Sequence, residues 1–141
     1  MAFYITYNDD TGEIRKLIEA PTKAVAELNC GVGFSVLDVD SFPDPEAQKV
    51  NLTSRAVESK TTQSITATPT TIDADGADKS VLTGVAEGST ARIRIDGNLI
   101  QRISVDSGKM NFVTETVATH TITFTHPLYL DTEVEITAVT P

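Results

Sequence analysis

The sequence predicts a mainly β protein in two parts: a small β-rich domain with one short helix over residues 1–60, then an antiparallel β-sandwich over residues 64–141. Three observations carry this reading. From about Ser64 onward, short apolar–polar alternations are separated by Asp-Gly, Glu-Gly and Ser-Gly turns, with no helical period. Composition changes near Ser59–Gln63, where the apolar runs give way to Thr-rich alternation. A length of 141 residues, 40% hydrophobic and 22% charged, suits one medium domain or two small ones.

The first half opens on a strand, Phe3 to Tyr7, with Phe3, Ile5 and Tyr7 on one face. Asn8-Asp-Asp-Thr-Gly12 has turn chemistry, and Glu13 to Ile18 returns as a second strand, so residues 3–18 read as a hairpin. Pro21-Thr22 opens a short helix over Lys23 to Leu28, stopped by Gly31 and Gly33. Phe34 to Val39 is a third strand, and Phe42-Pro-Asp-Pro45 a rigid corner. Val50 to Leu52 and Ala56 to Glu58 form a last hairpin across Thr53-Ser-Arg55. About 60 residues bury little surface, so this half is marginal alone.

In the second half, Ile65 to Ala67 and Thr71 to Ala74 flank Pro69, which a sheet edge tolerates. Ser80 to Thr83 follows the Asp75-Gly76 turn. Ala91 to Ile95 points Ile93 and Ile95 inward and Arg92 and Arg94 outward. Asp96-Gly97 is the strongest hairpin signal in the chain. A three-residue loop pairing Ile95 with Leu99 is expected there, because it keeps Leu99, Ile103 and Val105 on the core face. Asp106-Ser-Gly108 leads into Met110 to Thr114. Ile122 and Phe124 then alternate with Thr121, Thr123 and Thr125, and Val134, Ile136 and Ala138 with Glu133, Glu135 and Thr137. Seven or so short strands at these spacings predict two antiparallel sheets.

A net charge of −9 excludes a nucleic-acid binder, which needs a basic face, and disfavours an anionic membrane surface. No apolar run reaches the ~20 residues of a membrane span. Met1 to Asp10 has no basic start, so synthesis in a cytoplasm without a cleaved leader is expected. One cysteine, Cys30, excludes an internal disulfide, and no base stands near it in sequence to activate it.

Candidate sites are few. His120 and His126 share strand parity but lie about 20 Å apart on an extended strand, too far for one metal, and read as histidines at the rim of the core. Asp73, Asp75 and Asp78 loosely match a calcium loop, yet the closing glutamate is missing and a turn explains them better. Gly108-Lys109 lacks the glycine and hydroxyl residue of a phosphate loop, and Asn51-Leu-Thr53 matches a glycosylation acceptor by chance. Arg92, Arg94 and Arg102 form an outward basic stripe in an acidic protein, the candidate contact surface for an acidic neighbour. No metal, cofactor or catalytic residue is assigned, and no enzyme activity is expected.

Two stretches carry resemblances. Ser64-Ile-Thr-Ala-Thr-Pro-Thr-Thr-Ile-Asp-Ala-Asp-Gly-Ala-Asp78 resembles the first strand and turn of bacterial immunoglobulin-like repeats, which makes the expected sandwich immunoglobulin-like. Tyr4-Ile-Thr-Tyr-Asn-Asp-Asp-Thr-Gly-Glu-Ile14 with Glu19-Ala-Pro21, the hairpin Val50 to Val57, Arg94-Ile-Asp-Gly97 and Pro127 to Val134 together resemble small tail proteins of tailed bacteriophages. The chain departs from that pattern at Glu46-Ala-Gln-Lys49, where such proteins often have an aromatic-rich strand. The resemblance implies a virion component at the tail, tail tip, baseplate or fibre attachment region, made in the host cytoplasm. It further implies a homo-oligomer in a symmetric assembly, with other tail or baseplate proteins as partners and a host-cell receptor as a further one. It transfers no ligand residue. A capsid decoration protein and a bacterial surface or carbohydrate-binding module are the alternative readings, and the scarcity of aromatics (no Trp, three Tyr) disfavours the last.

Overall fold

In the computed structural model, which describes residues 1–141, the chain divides after Thr61. The first unit, Met1–Thr61, is built on β1 (Ala2–Asn8), which pairs antiparallel with β2 (Ile14–Ala20) on one side and β3 (Phe34–Val39) on the other. Between these strands lies α1 (Lys23–Glu27), capped by the Thr22 hydroxyl, which accepts from the Val25 N–H. A separate hairpin, β4 (Gln48–Asn51) and β5 (Ala56–Ser59), completes the unit.

Simple alternation accounts for only one face of β1. Ile5 and Tyr7 pack with Ile14 and Val50, and with Leu37, Leu52 and Val57 around them. Tyr4 is buried as well, on the opposite face, against Ala20 and Ala26 with Ile18 and Val36 alongside. A central strand covered on both faces cannot show a clean period of two. The five-residue helix supplies the second cover through Ala26, whose small side chain allows close approach.

Gly12 fixes the place of the second hairpin. Its carbonyl accepts from the Val50 N–H at 2.9 Å, its φ is +82°, and a Cβ would stand 2.0 Å from the Val50 carbonyl oxygen. Only glycine combines that backbone conformation with that approach.

The second unit, Thr62–Pro141, contains β6 (Thr66–Thr68), β7 (Thr71–Asp73), β8 (Ser80–Thr83), β9 (Ser89–Ile95), β10 (Asn98–Val105), β11 (Lys109–Phe112), β12 (Ala118–His126) and β13 (Tyr129–Val139). Five of these form one sheet in the order β10-β9-β12-β13-β7, and three form another in the order β11-β8-β6. Leu82, Met110 and Phe112 from the small sheet meet Ala91, Ile93, Ile122, Phe124 and Ile136 from the large one in a single core. The chain changes sheet between β6 and β7, across the cis Thr68–Pro69 bond. Counting β6 and β7 as two halves of one first strand gives the order of an immunoglobulin-like sandwich. One pair departs from the antiparallel rule: β7 runs parallel to the end of β13.

The expected three-residue loop at Asp96-Gly97 is corrected. Asn98 pairs with Ile95, so the loop has two residues, and Asp96 and Gly97 both hold positive φ, at 51° and 79°. Such a turn matches the strand twist and suits Asp-Gly. The extra residue enters one step later: Leu99 pairs with Arg94 and Gln101 with Ile93, leaving Ile100 as a bulge. Beyond it the expected pairing returns, with Val105 buried and Ile103 packed against the core, whereas Leu99 stays 48% exposed.

Buried polar groups are paired. Gln63, 5% exposed, accepts from the Ala86 N–H at 2.7 Å and donates to Ser89 Oγ at 3.1 Å, while its own N–H reaches Thr132 Oγ1. Ser80 Oγ donates to the Pro69 carbonyl. In the first unit, Lys60 Nζ donates to the Pro45 carbonyl at 2.8 Å.

Candidate protein-contact surface

Because side chains alternate across a strand, the residues between the core positions of β9, β12 and β13 stand on the outer face of the large sheet. Register places them in rows. Arg102, Arg92, Thr123 and Glu133 lie directly across from one another on β10, β9, β12 and β13. The next row is Leu99, Arg94, Thr121 and Glu135. The three arginines singled out by the sequence are therefore neighbours on one face.

Arg92 and Arg102 are direct cross-strand partners, an arrangement that like charges disfavour. Arg92 Nη1 donates to Thr125 Oγ1 at 3.0 Å. None of the three stands within ion-pair distance of a carboxylate, the one salt bridge of the chain being Lys49–Glu58 at 3.9 Å. Glu133 and Glu135 lie two strand spacings from the β9 arginines, about 10 Å. One face thus carries a basic side and an acidic side, separated by a row of short threonines.

The other sequence candidates lie elsewhere. Asp75 Oδ1 accepts from the Ala77 and Asp78 N–H groups at 2.9 and 2.8 Å, and Asp78 Oδ2 accepts from the Asp73 N–H. The Asp78 and Ala77 amides hold the Asp75 carboxyl below its usual 3.8. These carboxylates fasten a turn, and no three acidic, histidine or cysteine groups in the chain converge as metal ligands.

His120 is not at the rim of the core but fully buried, edge-on to Phe112 at 5.0 Å. Its Nδ1 lies 3.2 Å from the Ala118 carbonyl, which can only accept, so Nδ1 carries the proton and Nε2 accepts from Thr114 Oγ1. His126 takes the other tautomer: Nδ1 accepts from the Leu128 N–H and Nε2 donates to the Glu87 carbonyl at 2.9 Å. Both rings fasten loops to the ends of β12. Cys30 Sγ points to the Phe34 carbonyl at 3.0 Å. Asn51 of the glycosylation match bonds its own turn, its side-chain oxygen accepting from the Thr53 and Ser54 N–H groups.

Arg55 was not foreseen. It holds φ of 56°, lies over the Tyr7 ring at 5.8 Å and donates to the Tyr7 hydroxyl at 2.9 Å. It lines an open groove of about 460 Å³ in the first unit with Leu37, Val39, Phe42 and Val57. Unlike the Asp-Gly pair at 96–97, no sequence signal marks an arginine for positive φ.

These features define a two-unit, mainly β protein whose second unit is an immunoglobulin-like sandwich bearing a charge-divided sheet face. The chain matches no protein family, no curated protein and no solved structure. No helix is long and apolar enough to cross a membrane.

Proposed function

We propose that this chain is a non-enzymatic structural component of a tailed-phage virion, at the tail, tail tip, baseplate or fibre attachment region. Its first unit docks on neighbouring tail proteins, and its sandwich is displayed for structural or host-surface contacts. The observation that carries the reading is the arginine group on the outer sheet face. Three cations without carboxylate partners, on a chain of net charge −9, form a surface suited to a partner. Charge kept without a carboxylate partner at the cost of cross-strand repulsion favours a contact role over a stabilising one. In the first unit, Leu28 and Val32 are 84% and 101% exposed, which fits a docking region. The sequence resemblance supplies the virion setting.

Immunogold labelling of particles from the phage that encodes the chain tests this. Label at the tail end is expected. Label on the head shell would move the chain to the decoration reading. Particles without label, with glycan binding by the free chain, would instead make it a carbohydrate-binding module.

A further inference from the structure

We infer that the outer face of the large sheet is a two-fold contact between copies of this chain. Arg92 and Arg94 of each copy lie over Glu133 and Glu135 of the other. The inference draws on the charge face described above, not on the virion setting, so either can fail alone.

Strand register aligns the charges for such a contact. The two rows, Arg92–Thr123–Glu133 and Arg94–Thr121–Glu135, share the same order of basic, neutral and acidic side chains across β9, β12 and β13. Consider a second copy laid face to face, related by a two-fold axis running along β12 in the plane between the sheets. That operation exchanges the β9 side of one copy with the β13 side of the other and leaves position along the strand unchanged. Arg92 of each copy then stands over Glu133 of its mate, and Arg94 over Glu135. A single symmetry operation satisfies both rows and creates four interchain pairs, the self-complementarity an isologous interface requires.

Within one copy the same charges remain unpaired. Two strand spacings, about 10 Å, separate them, and the threonines between are short enough to let a second face approach. Both charged columns lie one strand from the axis, so sheet twist displaces them least, and long arginine and glutamate side chains absorb what remains. An acidic protein partner would meet the arginines but leave Glu133 and Glu135 opposed. A second copy matches both columns.

The face measures roughly 20 Å by 20 Å, the size of a weak association governed by charge. Sedimentation of the full chain is therefore expected to show a monomer–dimer equilibrium. It should tighten at about 0.01 M salt, where the Debye length is about 30 Å, and weaken at least tenfold near 1 M, where it is about 3 Å. The decisive experiment is a charge exchange. The R92E/R94E variant carries an all-acidic face and the E133R/E135R variant an all-basic one. Each should be monomeric alone, and an equimolar mixture should form a one-to-one dimer at least as tight as wild type. Circular dichroism of each variant establishes that it is folded. A wild-type chain monomeric to about 1 mM at low salt, a dimer unmoved by either variant, a closed species larger than two, or a folded mixture that fails to associate would each overturn the inference.

Discussion

Two hairpin loops in the first unit solve the same problem with different residues. In the first, Asn8 Oδ1 accepts from the Asp10 and Thr11 N–H groups, and Gly12 donates back to the Asn8 carbonyl. In the second, Asn51 Oδ1 accepts from Thr53 and Ser54, and Arg55 donates to the Asn51 carbonyl. The fifth position takes positive φ in both, with glycine in one and arginine in the other. Arginine is disfavoured there by its Cβ, and its bond and stacking with Tyr7 offset that cost. Arg55→Ala keeps the strain and loses the contact, whereas Arg55→Gly loses both. R55G is therefore expected to be about 1 kcal/mol more stable than R55A in urea unfolding. Equal stabilities would mean that the loop changes conformation when Tyr7 loses its partner. Asp75 gives a second residue-scale prediction. Its folded pKa lies below the usual 3.8, so its contribution is present above that pH and is lost as pH falls through the depressed folded value. Asp75→Asn keeps an oxygen acceptor for the turn and removes the titration. Its melting temperature should fall less steeply than that of wild type between about pH 5 and pH 3. Parallel curves would assign the acid sensitivity to other carboxylates.

At the scale of elements, the hairpin of β9 and β10 shows what a sequence records and what it hides. Asp96-Gly97 announces the turn, because few residues tolerate positive φ twice in succession. A bulge leaves no such mark: Ile100 is apolar and β-branched, at ease in any strand, and only pairing with β9 reveals it as surplus. Deleting Ile100 should join the two registers into a regular ladder. The change in stability is expected to stay within about 1 kcal/mol, since Asn98, Leu99 and everything from Gln101 onward keep their partners. A loss of several kcal/mol would show that the bulge sets the twist of the hairpin. The strands themselves were legible, because Ile122 and Phe124 alternate with threonines, and Val134 and Ile136 with glutamates. So was the outward direction of Arg92 and Arg94. That Arg92 and Glu133 share a row was not, for it depends on two strand registers set by turns far apart in the chain. His120 was misplaced for a related reason, since its core position depends on Phe112 and Thr114 arriving from the preceding strand and loop.

At the scale of the whole molecule, the two units differ in how their apolar side chains are gathered. Thirteen buried residues of Thr62–Pro141 form one continuous core fed by both sheets. In Met1–Thr61 the buried apolar residues fall into two small clusters, one on each face of the three-stranded sheet, with Tyr4 and Ile5 pointing opposite ways from adjacent positions. A domain of about 60 residues already buries a smaller fraction of its surface than a larger one, and splitting its core reduces cooperative packing further. Fragment 62–141 is accordingly expected to unfold in one cooperative transition on its own, and fragment 1–61 at a lower temperature. The start of the larger fragment matters more than its length suggests. Gln63 bonds the Ala86 N–H, Ser89 Oγ and Thr132 Oγ1, tying the entry of the sandwich to the turn before β9 and to β13. A fragment beginning at Ile65 removes all three bonds and leaves the Ala86 N–H without its acceptor, while the buried Ser89 hydroxyl keeps only its bond to the Ala86 carbonyl. It should unfold about 2–4 kcal/mol more easily than fragment 62–141. Calorimetry of the three fragments decides the matter: a fragment 1–61 that outlasts the sandwich, or a cut at Ile65 without effect, would show that stability is not distributed by core continuity and buried polar pairing in this chain.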